Sequence, residues 1–229
     1  MTTHHLIIFD CDGTLVDSQN LIVAAMDRAF GMVDLAPPPR EAVLGIVGLS
    51  LPQAISRLVR DASEEMVMQI TREYSGAFGE LRQNPDNWEP MYEGAHEAVL
   101  ELAGRDSVVL GIATGKSRKG VDRMLKHFQL EGRFATIQTA DVAPSKPHRG
   151  MIDQAILETG ALAANTVMIG DTTFDMEMAR NAGVTALGVS WGYHPVEMLH
   201  AEGVTDVADD YPHLMRLLTG MYFESQAAE

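Results

Sequence analysis

Cysteine and long apolar runs are what this chain of 229 residues lacks most clearly. Its one cysteine, Cys11, excludes an intramolecular disulfide and is consistent with a reducing compartment. The first apolar run covers residues 6–9, too short for a signal-peptide core or for the roughly 20 residues that a membrane-spanning helix needs. From these absences we expect a cytoplasmic protein with no membrane partner.

Positive charge is also scarce. The chain has 17 Lys and Arg residues against 32 Asp and Glu residues, which gives a formal net charge of −15. Because contacts to a phosphate backbone need clustered cations, this balance argues against nucleic acid and anionic membranes as partners. An acidic protein can still bind a small phosphate ester if it recruits a metal ion.

What is present is an alternation of strand and helix patterns. Short apolar runs predict buried strands at residues 6–9, 108–113, 166–169 and 184–189, and helical periodicity covers residues 95–103, 119–128, 151–159 and 174–181. This alternation predicts an α/β fold, a Rossmann-like parallel sheet with helices on both faces. Such sheets bind ligands at the carboxyl ends of their strands.

Residues 16–90 interrupt the alternation. They show helical patterns at 20–32, 52–61 and 64–81 and no convincing strand. We therefore predict an α/β core formed by residues 1–15 and 91–221, a helical cap at residues 16–90, and a flexible tail at residues 222–229. The cleft between core and cap is the expected place for a site.

Carboxylates follow two of the predicted strands. Asp10 and Asp12 come directly after the first strand and are separated by one residue, so they can serve as nucleophile and proton-transfer group. Asp171 and Asp175 follow a later strand and offer the hard oxygen ligands that Mg²⁺ prefers.

Donors for phosphoryl oxygens occur in the same series. They are the Thr114 hydroxyl, the Gly115 amide and the Lys146 ammonium. Four carboxylates and one lysine sum to −3, a field that repels a phosphate dianion, and a divalent cation reduces it to −1. The charges of the predicted site therefore favour a bound Mg²⁺.

The motifs resemble those of the haloacid dehalogenase superfamily, in the same order. They are Asp10-x-Asp12-Gly13-Thr14-Leu15-Val16-Asp17-Ser18, Thr114, Lys146-Pro147, and Gly170-Asp171-x-x-x-Asp175. The helical segment after the first motif is similar to the helical cap of this superfamily. Its most similar branch is that of phosphoglycolate phosphatase and its relatives.

This resemblance implies a role for each motif residue. Asp10 would attack phosphorus to form an aspartyl phosphate, while Asp12 would protonate the leaving alkoxide and then activate water. The implied Mg²⁺ ligands are Asp10, the Asp12 backbone carbonyl, Asp171 and Asp175. The implied phosphate-binding groups are Thr114, Gly115, Lys146 and the amides of Cys11, Asp12 and Gly13. The implied substrate is a small phosphorylated metabolite such as phosphoglycolate or a sugar phosphate, hydrolysed by a monomer or homodimer.

Other activities of the superfamily fit the sequence less well. Its dehalogenases lack the second aspartate of the first motif, which is Asp12 here, and its phosphonatases use a cap lysine, whereas residues 16–90 contain no lysine. A β-phosphoglucomutase-like mutase would need a cation for a second phosphate. The loop at residues 45–52 has none, but other cap arginines keep this alternative open: Arg28, Arg40, Arg57, Arg60 and Arg72.

A phospho-receiver or binding module is the alternative from a different functional class. Receivers also combine acidic residues, a metal, a threonine and a lysine on a parallel sheet. Asp12 together with a cap favours rapid hydrolysis under a lid that excludes water.

Four further residues have simpler interpretations. Asp17 is predicted to cap the first cap helix, and the Cys11 side chain to be small and buried, turned away from its aspartate neighbours. Lys116 follows Gly115 as in a P-loop, but position 110 is Leu where that motif requires Gly. Arg149 either touches substrate or faces solvent.

Overall fold

The sheet at the centre of the fold has six parallel strands in the order β3-β2-β1-β4-β5-β6. The structure is a computed structural model that describes residues 4–84, 87 and 89–222. The strands are β1 (His5–Phe9), β2 (Val108–Thr114), β3 (Thr136–Thr139), β4 (Thr166–Gly170), β5 (Thr185–Val189) and β6 (Val207–Ala208). The predicted α/β fold with a parallel sheet is confirmed.

Helices cover both faces of this sheet, and four more form the cap. The helices are α1 (Gln19–Gly31), α2 (Arg40–Leu44), α3 (Leu51–Leu58), α4 (Glu64–Leu81), α5 (Ala95–Ala103), α6 (Arg118–His127), α7 (Gly150–Thr159), α8 (Thr173–Ala182), α9 (Val196–Ala201) and α10 (Tyr211–Tyr222). A single turn of 3₁₀-helix at Ala163–Asn165 precedes β4.

The central strand shows why these short apolar runs form a doubly covered sheet. Ile7 and Phe9 pack on one face with residues of α5, α6 and α10, whereas Leu6 and Ile8 pack on the other face with residues of α7 and α8. Successive side chains of a strand point to opposite faces. A strand buried on both faces is therefore apolar along nearly its whole length.

Strand β3 was not predicted because its sequence is polar. Thr136 and Gln138 are buried, and both donate hydrogen bonds to Glu158 Oε2 of α7, at 2.6 and 2.9 Å. A buried polar strand is stable when its side chains find such partners. Hydropathy cannot reveal this, because the partner lies in a helix that follows later in the chain.

The cap helices have an apolar core of their own. Ile22 and Met26 of α1 pack with Ile70 of α4 and with residues of α2 and α3. The chain enters and leaves the cap through two paired linkers. The Asp17 amide donates to the Pro90 carbonyl at 2.8 Å, and Val16 forms an antiparallel bridge with Met91.

Two local predictions need correction. The residue that caps α1 is Ser18, and the carboxylate of Asp17 accepts instead from the Gln19 amide at 3.3 Å. Tyr222, predicted to begin the tail, is the last residue of α10 and is buried with its ring 4.5 Å from that of His5. Residues 223–229 lie outside the described part of the chain. Within that part, no helix is both long and apolar enough to cross a bilayer.

Candidate active site

The carboxyl ends of the central strands bring five of the predicted side chains together. Asp10 follows β1, Thr114 ends β2 and Asp171 follows β4, while Asp175 lies in the first turn of α8. Lys146 comes from the loop after β3. All five are buried, with at most 1% of their surface exposed. Parallel neighbouring strands end at one edge of the sheet, which is why residues distant in sequence meet here.

Three carboxylates form the centre of this arrangement. Oxygen atoms of Asp10, Asp171 and Asp175 lie within 4.8 Å of one another. Lys146 Nζ lies 2.9 Å from Asp10 Oδ2 and 2.6 Å from Asp175 Oδ1. Three buried negative charges against one positive charge leave the cluster short of a cation.

Burial and mutual repulsion change the pKa values of this cluster. Burial, only partly offset by Lys146, raises the pKa of Asp10 to about 6. Burial and the neighbouring Asp175 and Asp10 carboxylates hold the pKa of Asp171 well above its usual range. For Lys146, burial alone would lower the pKa, but the two adjacent carboxylates outweigh it and raise the pKa. A cation bound among the carboxylates would favour their charged forms.

Asp171 is fixed by partners from the other motifs. The Thr14 hydroxyl donates to Asp171 Oδ1 and the Tyr193 amide donates to Oδ2, both at 2.8 Å. Gly13 passes directly over the carboxylate with φ +88°, and a Cβ at this position would lie 2.2 Å from Asp171 Oδ2. Only glycine allows both that backbone conformation and that approach.

Asp175 has a structural role besides its place in the cluster. Its Oδ2 accepts from the Thr172 amide at 3.1 Å and from the Thr172 hydroxyl at 2.7 Å, which closes a capping box at the start of α8. Its Oδ1 faces Lys146. The side chain is therefore held from both ends.

The carboxylate of Asp12 lies outside the three-carboxylate cluster. Its Oδ1 accepts from Ser18 Oγ at 2.5 Å and from Lys116 Nζ at 2.7 Å. Lys116 also donates to Glu89 Oε1 at 2.9 Å. Asp10 and Asp12 thus have different environments, as two carboxylates with different chemical roles require.

Two of the predicted phosphate donors have other acceptors in this conformation. The Cys11 amide donates to Asp10 Oδ1 at 2.6 Å, and the Gly13 amide donates to the Val16 carbonyl at 2.9 Å. Because an amide has a single hydrogen, neither is free for a phosphate in this conformation. The Thr114 hydroxyl oxygen accepts from the Lys116 amide at 3.2 Å, which leaves its own hydrogen to donate.

Two side chains with open interpretations have clear positions. The Cys11 side chain is fully buried in the apolar core, as predicted, and burial with the nearby Asp10 carboxylate raises the pKa of its thiol. It is not an active nucleophile. Arg149 is exposed and pairs with Asp153 through Nε at 2.6 Å and Nη2 at 2.8 Å, so it faces solvent.

The cap closes over the strand ends. Gly115 lies directly under the cap loop, and a Cβ there would be 2.6 Å from the Leu49 carbonyl oxygen. The Ser50 amide donates to Ser145 Oγ at 2.7 Å, and the Arg57 guanidinium lies 4.9 Å from the centre of the Phe174 ring. These contacts join cap to core beside the carboxylates.

A cavity of about 630 Å³ lies between cap and core and reaches Asp10 and Asp12. Its cap side is mainly apolar. The cap residues that line it are Ile22, Met26, Ile46, Val47, Gly48, Leu49, Ser50, Leu51, Pro52, Ala54, Tyr74, Ser75, Phe78, Gly79 and Arg82. Among the described cap residues of this lining, Arg82 alone carries a charge.

Sequence reasoning missed the partners of Asp12. Lys116 was considered only as part of a P-loop, and Glu89 was not considered as a site residue. Ser18 and Thr14 belong to the first motif but had no assigned role. A signal for Lys116 did exist, because a lysine two residues after Thr114 at a strand end must lie near the other strand ends.

Comparison with known proteins identifies the family. Residues 7–189 match the family described as haloacid dehalogenase-like hydrolase. The chain is also 34% identical over 214 residues to "Probable phosphatase IndB" of Dickeya dadantii, covering 92% of this chain and 91% of that protein. The chain belongs to the haloacid dehalogenase-like hydrolases.

Further similar proteins agree with this membership. "Pyrophosphatase PpaX" of Bacillus mycoides is 29% identical over 214 residues, 93% of this chain and 96% of its own length. A hydrolase structure from Pseudomonas syringae is 26% identical with a TM-score of 0.82, covering 95% of this chain and 98% of that one. As a haloacid dehalogenase-like hydrolase with relatives named as phosphatases, the chain is a phosphatase, which confirms the predicted enzyme class.

Proposed function

We propose that this phosphatase is Mg²⁺-dependent and hydrolyses small phosphomonoesters through an aspartyl phosphate on Asp10. The observation that carries the proposal is the cluster of Asp10, Asp171 and Asp175 around Lys146 at the strand ends, in which Asp10 also lines the cavity under the cap. Because this site contains a nucleophile and can also bind a metal ion and an anion, it suits phosphoryl transfer.

The cluster fits a magnesium ion. Its three carboxylates supply hard oxygen atoms, and the single Lys146 charge leaves them under-neutralised. Asp10, Asp171 and Asp175, with the Asp12 backbone carbonyl, would hold the ion. When bound, it would neutralise charge on the transferring phosphoryl group and polarise it for attack.

The first step is attack by Asp10. A carboxylate oxygen of Asp10 forms a bond to phosphorus while the bond from phosphorus to the ester oxygen breaks, and Asp12 gives its proton to that departing oxygen. Lys146 and Thr114 hold the phosphoryl oxygens. The result is an aspartyl phosphate and a free alcohol.

The second step regenerates the enzyme. Asp12, now ionised, takes a proton from a water molecule. The oxygen of that water attacks phosphorus, and the bond between phosphorus and Asp10 breaks. Inorganic phosphate leaves, Asp10 is a carboxylate again and Asp12 is protonated. A cap over the site limits water to the molecule that reacts.

The lining of the cavity favours a phosphate ester whose alcohol portion is uncharged and partly apolar. Its cap side presents Ile22, Met26, Leu49, Tyr74 and Phe78, which gain from contact with apolar surface. The cations elsewhere in the lining are Lys116, Lys119 and Arg123, all from the core. This pattern favours one phosphate at the core and an apolar group at the cap.

Hydrolysis fits the cavity better than mutase chemistry. The five cap arginines that kept a mutase open do not appear among the described residues of the lining: Arg28, Arg40, Arg57, Arg60 and Arg72. Arg82 does line the cavity, but it pairs with Glu89 at 3.0 Å. A mutase must hold a second phosphate, for which the cap side offers no free cation among the described residues.

A phosphate-release screen over a phosphomonoester library tests the proposal. We expect release with Mg²⁺, none with chelator, recovery when Mg²⁺ is restored, and preference for apolar monoesters over bisphosphates. Asp10→Asn should lower kcat/KM by at least about 1,000-fold, because it removes the nucleophile. Asp153→Asn, on the exposed face of α7, is the matched control. Equal phosphate release by wild type and Asp10→Asn would rule out the mechanism.

A further inference from the structure

We propose that Lys116 is a positioning residue for proton transfer, anchored by Glu89, which holds the Asp12 carboxylate so that Oδ2 faces the departing oxygen. The inference rests on the proposed function, because it assigns Asp12 the role of acid and base. It concerns a lysine outside the carboxylate cluster and a glutamate in the linker that returns from the cap.

The contacts of Lys116 are buried and specific. Its Nζ lies 2.7 Å from Asp12 Oδ1 and 2.9 Å from Glu89 Oε1, and these three side chains are 8%, 13% and 7% exposed. Arg82 Nη2 lies 3.0 Å from Glu89 Oε2. A buried ammonium is tolerated only where carboxylates compensate for the lost water, so its position is defined by these two acceptors.

The hydrogen bonds determine which oxygen of Asp12 is available. Lys116 and Ser18 both donate to Oδ1. Among the described residues, Oδ2 has no hydrogen-bond partner. A carboxylate with one oxygen bound twice cannot rotate freely, so Oδ2 becomes the oxygen that carries and returns the proton.

Neighbouring residues make room for this lysine. A Cβ on Gly120 in α6 would lie 2.9 Å from Lys116 Cγ, so the absence of a side chain at position 120 lets the lysine stem pass. Phe78 of the cap lies on the other side, with its ring centre 5.7 Å from Nζ. Lys116 is thus held between core helix and cap.

A direct role in binding the phosphoryl group fits Lys116 less well than Lys146. Lys146 lies between Asp10 and Asp175, at the reacting centre, whereas the carboxylates that Lys116 contacts are those of Asp12 and Glu89, outside the three-carboxylate cluster. The two lysines therefore act on different carboxylates, Lys146 at the nucleophile and Lys116 at the proton donor.

Two phosphate esters with similar apolar bodies separate positioning from general damage. The alkoxide that leaves 2-phenylethyl phosphate is strongly basic and needs a proton, whereas 4-nitrophenolate departs without one. We expect Lys116→Met to lower kcat for 2-phenylethyl phosphate by about 10- to 100-fold and for 4-nitrophenyl phosphate by less than about 3-fold, with little change in KM. Lys126→Met, at an exposed position of α6, is the matched control.

Two further variants test the anchor and the placement. As in Lys116→Met, the ratio of kcat for 2-phenylethyl phosphate to kcat for 4-nitrophenyl phosphate should fall in Glu89→Gln and in Gly120→Ala. We expect a fall of about 3- to 10-fold in each. Because the ratio is measured within one preparation, it does not depend on the fraction of folded enzyme.

The outcomes are distinct. Equal losses on both esters, or none, in Lys116→Met would overturn the positioning role, and a wild-type ratio in Glu89→Gln would overturn the anchor. Failure of the wild type to hydrolyse either ester would instead contradict the proposed function.

Discussion

The core side of the cavity, its floor, and the cap side, its roof, differ in chemistry. On the floor, Asp10 lines the cavity and belongs to a buried cluster with Asp171, Asp175 and Lys146, in which each side chain is held by charged or hydrogen-bonding partners from distant parts of the chain. The cap side presents mainly aliphatic and aromatic groups, with Tyr74 and Phe78 as its largest surfaces. The floor is suited to one chemical step, whereas the roof distinguishes substrates by shape and apolar area.

Removing one carboxylate from the floor should have the largest effect and should act on activity and stability in opposite directions. We expect Asp171→Asn to lower kcat/KM by about 100-fold or more and to weaken activation by Mg²⁺, because a metal ligand is lost. Its polar contacts survive, since an amide can still accept from Tyr193 and donate to Thr14.

The same variant should be more stable without metal. The pKa of Asp171 is raised in the folded state, so its ionised form destabilises the fold once pH exceeds the unfolded pKa, and this cost grows until pH reaches the folded pKa. In chelator at neutral pH, we expect Asp171→Asn to raise Tm by about 2–8 °C. Thermal unfolding with and without Mg²⁺ measures this, and a lowered Tm in chelator would contradict it.

A single substitution at Gly115 should move the cap loop away from the core. In Gly115→Ala, the added Cβ meets the backbone of residues 48 and 49 at 2.6 to 2.9 Å, so the cap loop must withdraw. We expect kcat/KM to fall by about 10- to 100-fold. Hydrogen exchange should also show the Ser50 amide losing the protection given by Ser145.

Gly76 provides the control for this experiment. It lies in α4 of the cap, and a Cβ there meets nothing within 4 Å. Gly76→Ala should keep full activity. A Gly115→Ala enzyme with unchanged activity and unchanged exchange would show that the cap loop does not need its observed position.

A truncation in the roof should act mainly on substrate preference. Phe78 lies with its ring 5.7 Å from that of Tyr74 and lines the cavity. We expect Phe78→Ala to raise KM for 2-phenylethyl phosphate by about 5- to 10-fold, with little change for glycerol phosphate. Equal increases for both esters would argue against an apolar substrate subsite.

The smallest effect is expected outside both regions. Arg149→Gln removes one partner of an exposed ion pair with Asp153. We expect kcat/KM within about 2-fold of wild type and no measurable change in stability, because water screens an exposed ion pair. A large fall in activity on any ester would mean that this arginine reaches substrate.

The sequence-based predictions differed in accuracy from one element to another. Helices α4 and α5 agree to the residue with the predicted bounds, and the four central strands agree to within a residue. Strands β3 and β6 and helices α2, α9 and α10 were not predicted. Central strands are apolar over most of their length, whereas a short or polar edge element depends on partners that periodicity does not show.

The predictions for the site also differed in accuracy. The order of Asp10, Thr114, Lys146 and Asp171 along strand ends could be predicted, because parallel strands bring those ends to one edge. The acceptors that the Cys11 and Gly13 amides have in this conformation could not be predicted, since they depend on the local path of the loop.

By itself, the sequence determined the parallel sheet, the acidic strand ends and the type of chemistry they serve. These depend on burial patterns and on residues close in sequence or at equivalent strand ends. The tertiary structure alone decided that Lys116 meets Asp12, 104 residues away, and Glu89, 27 residues away, and that the cap offers an apolar roof. Contacts over such separations depend on how the paired linkers place cap on core, and no local pattern encodes that placement.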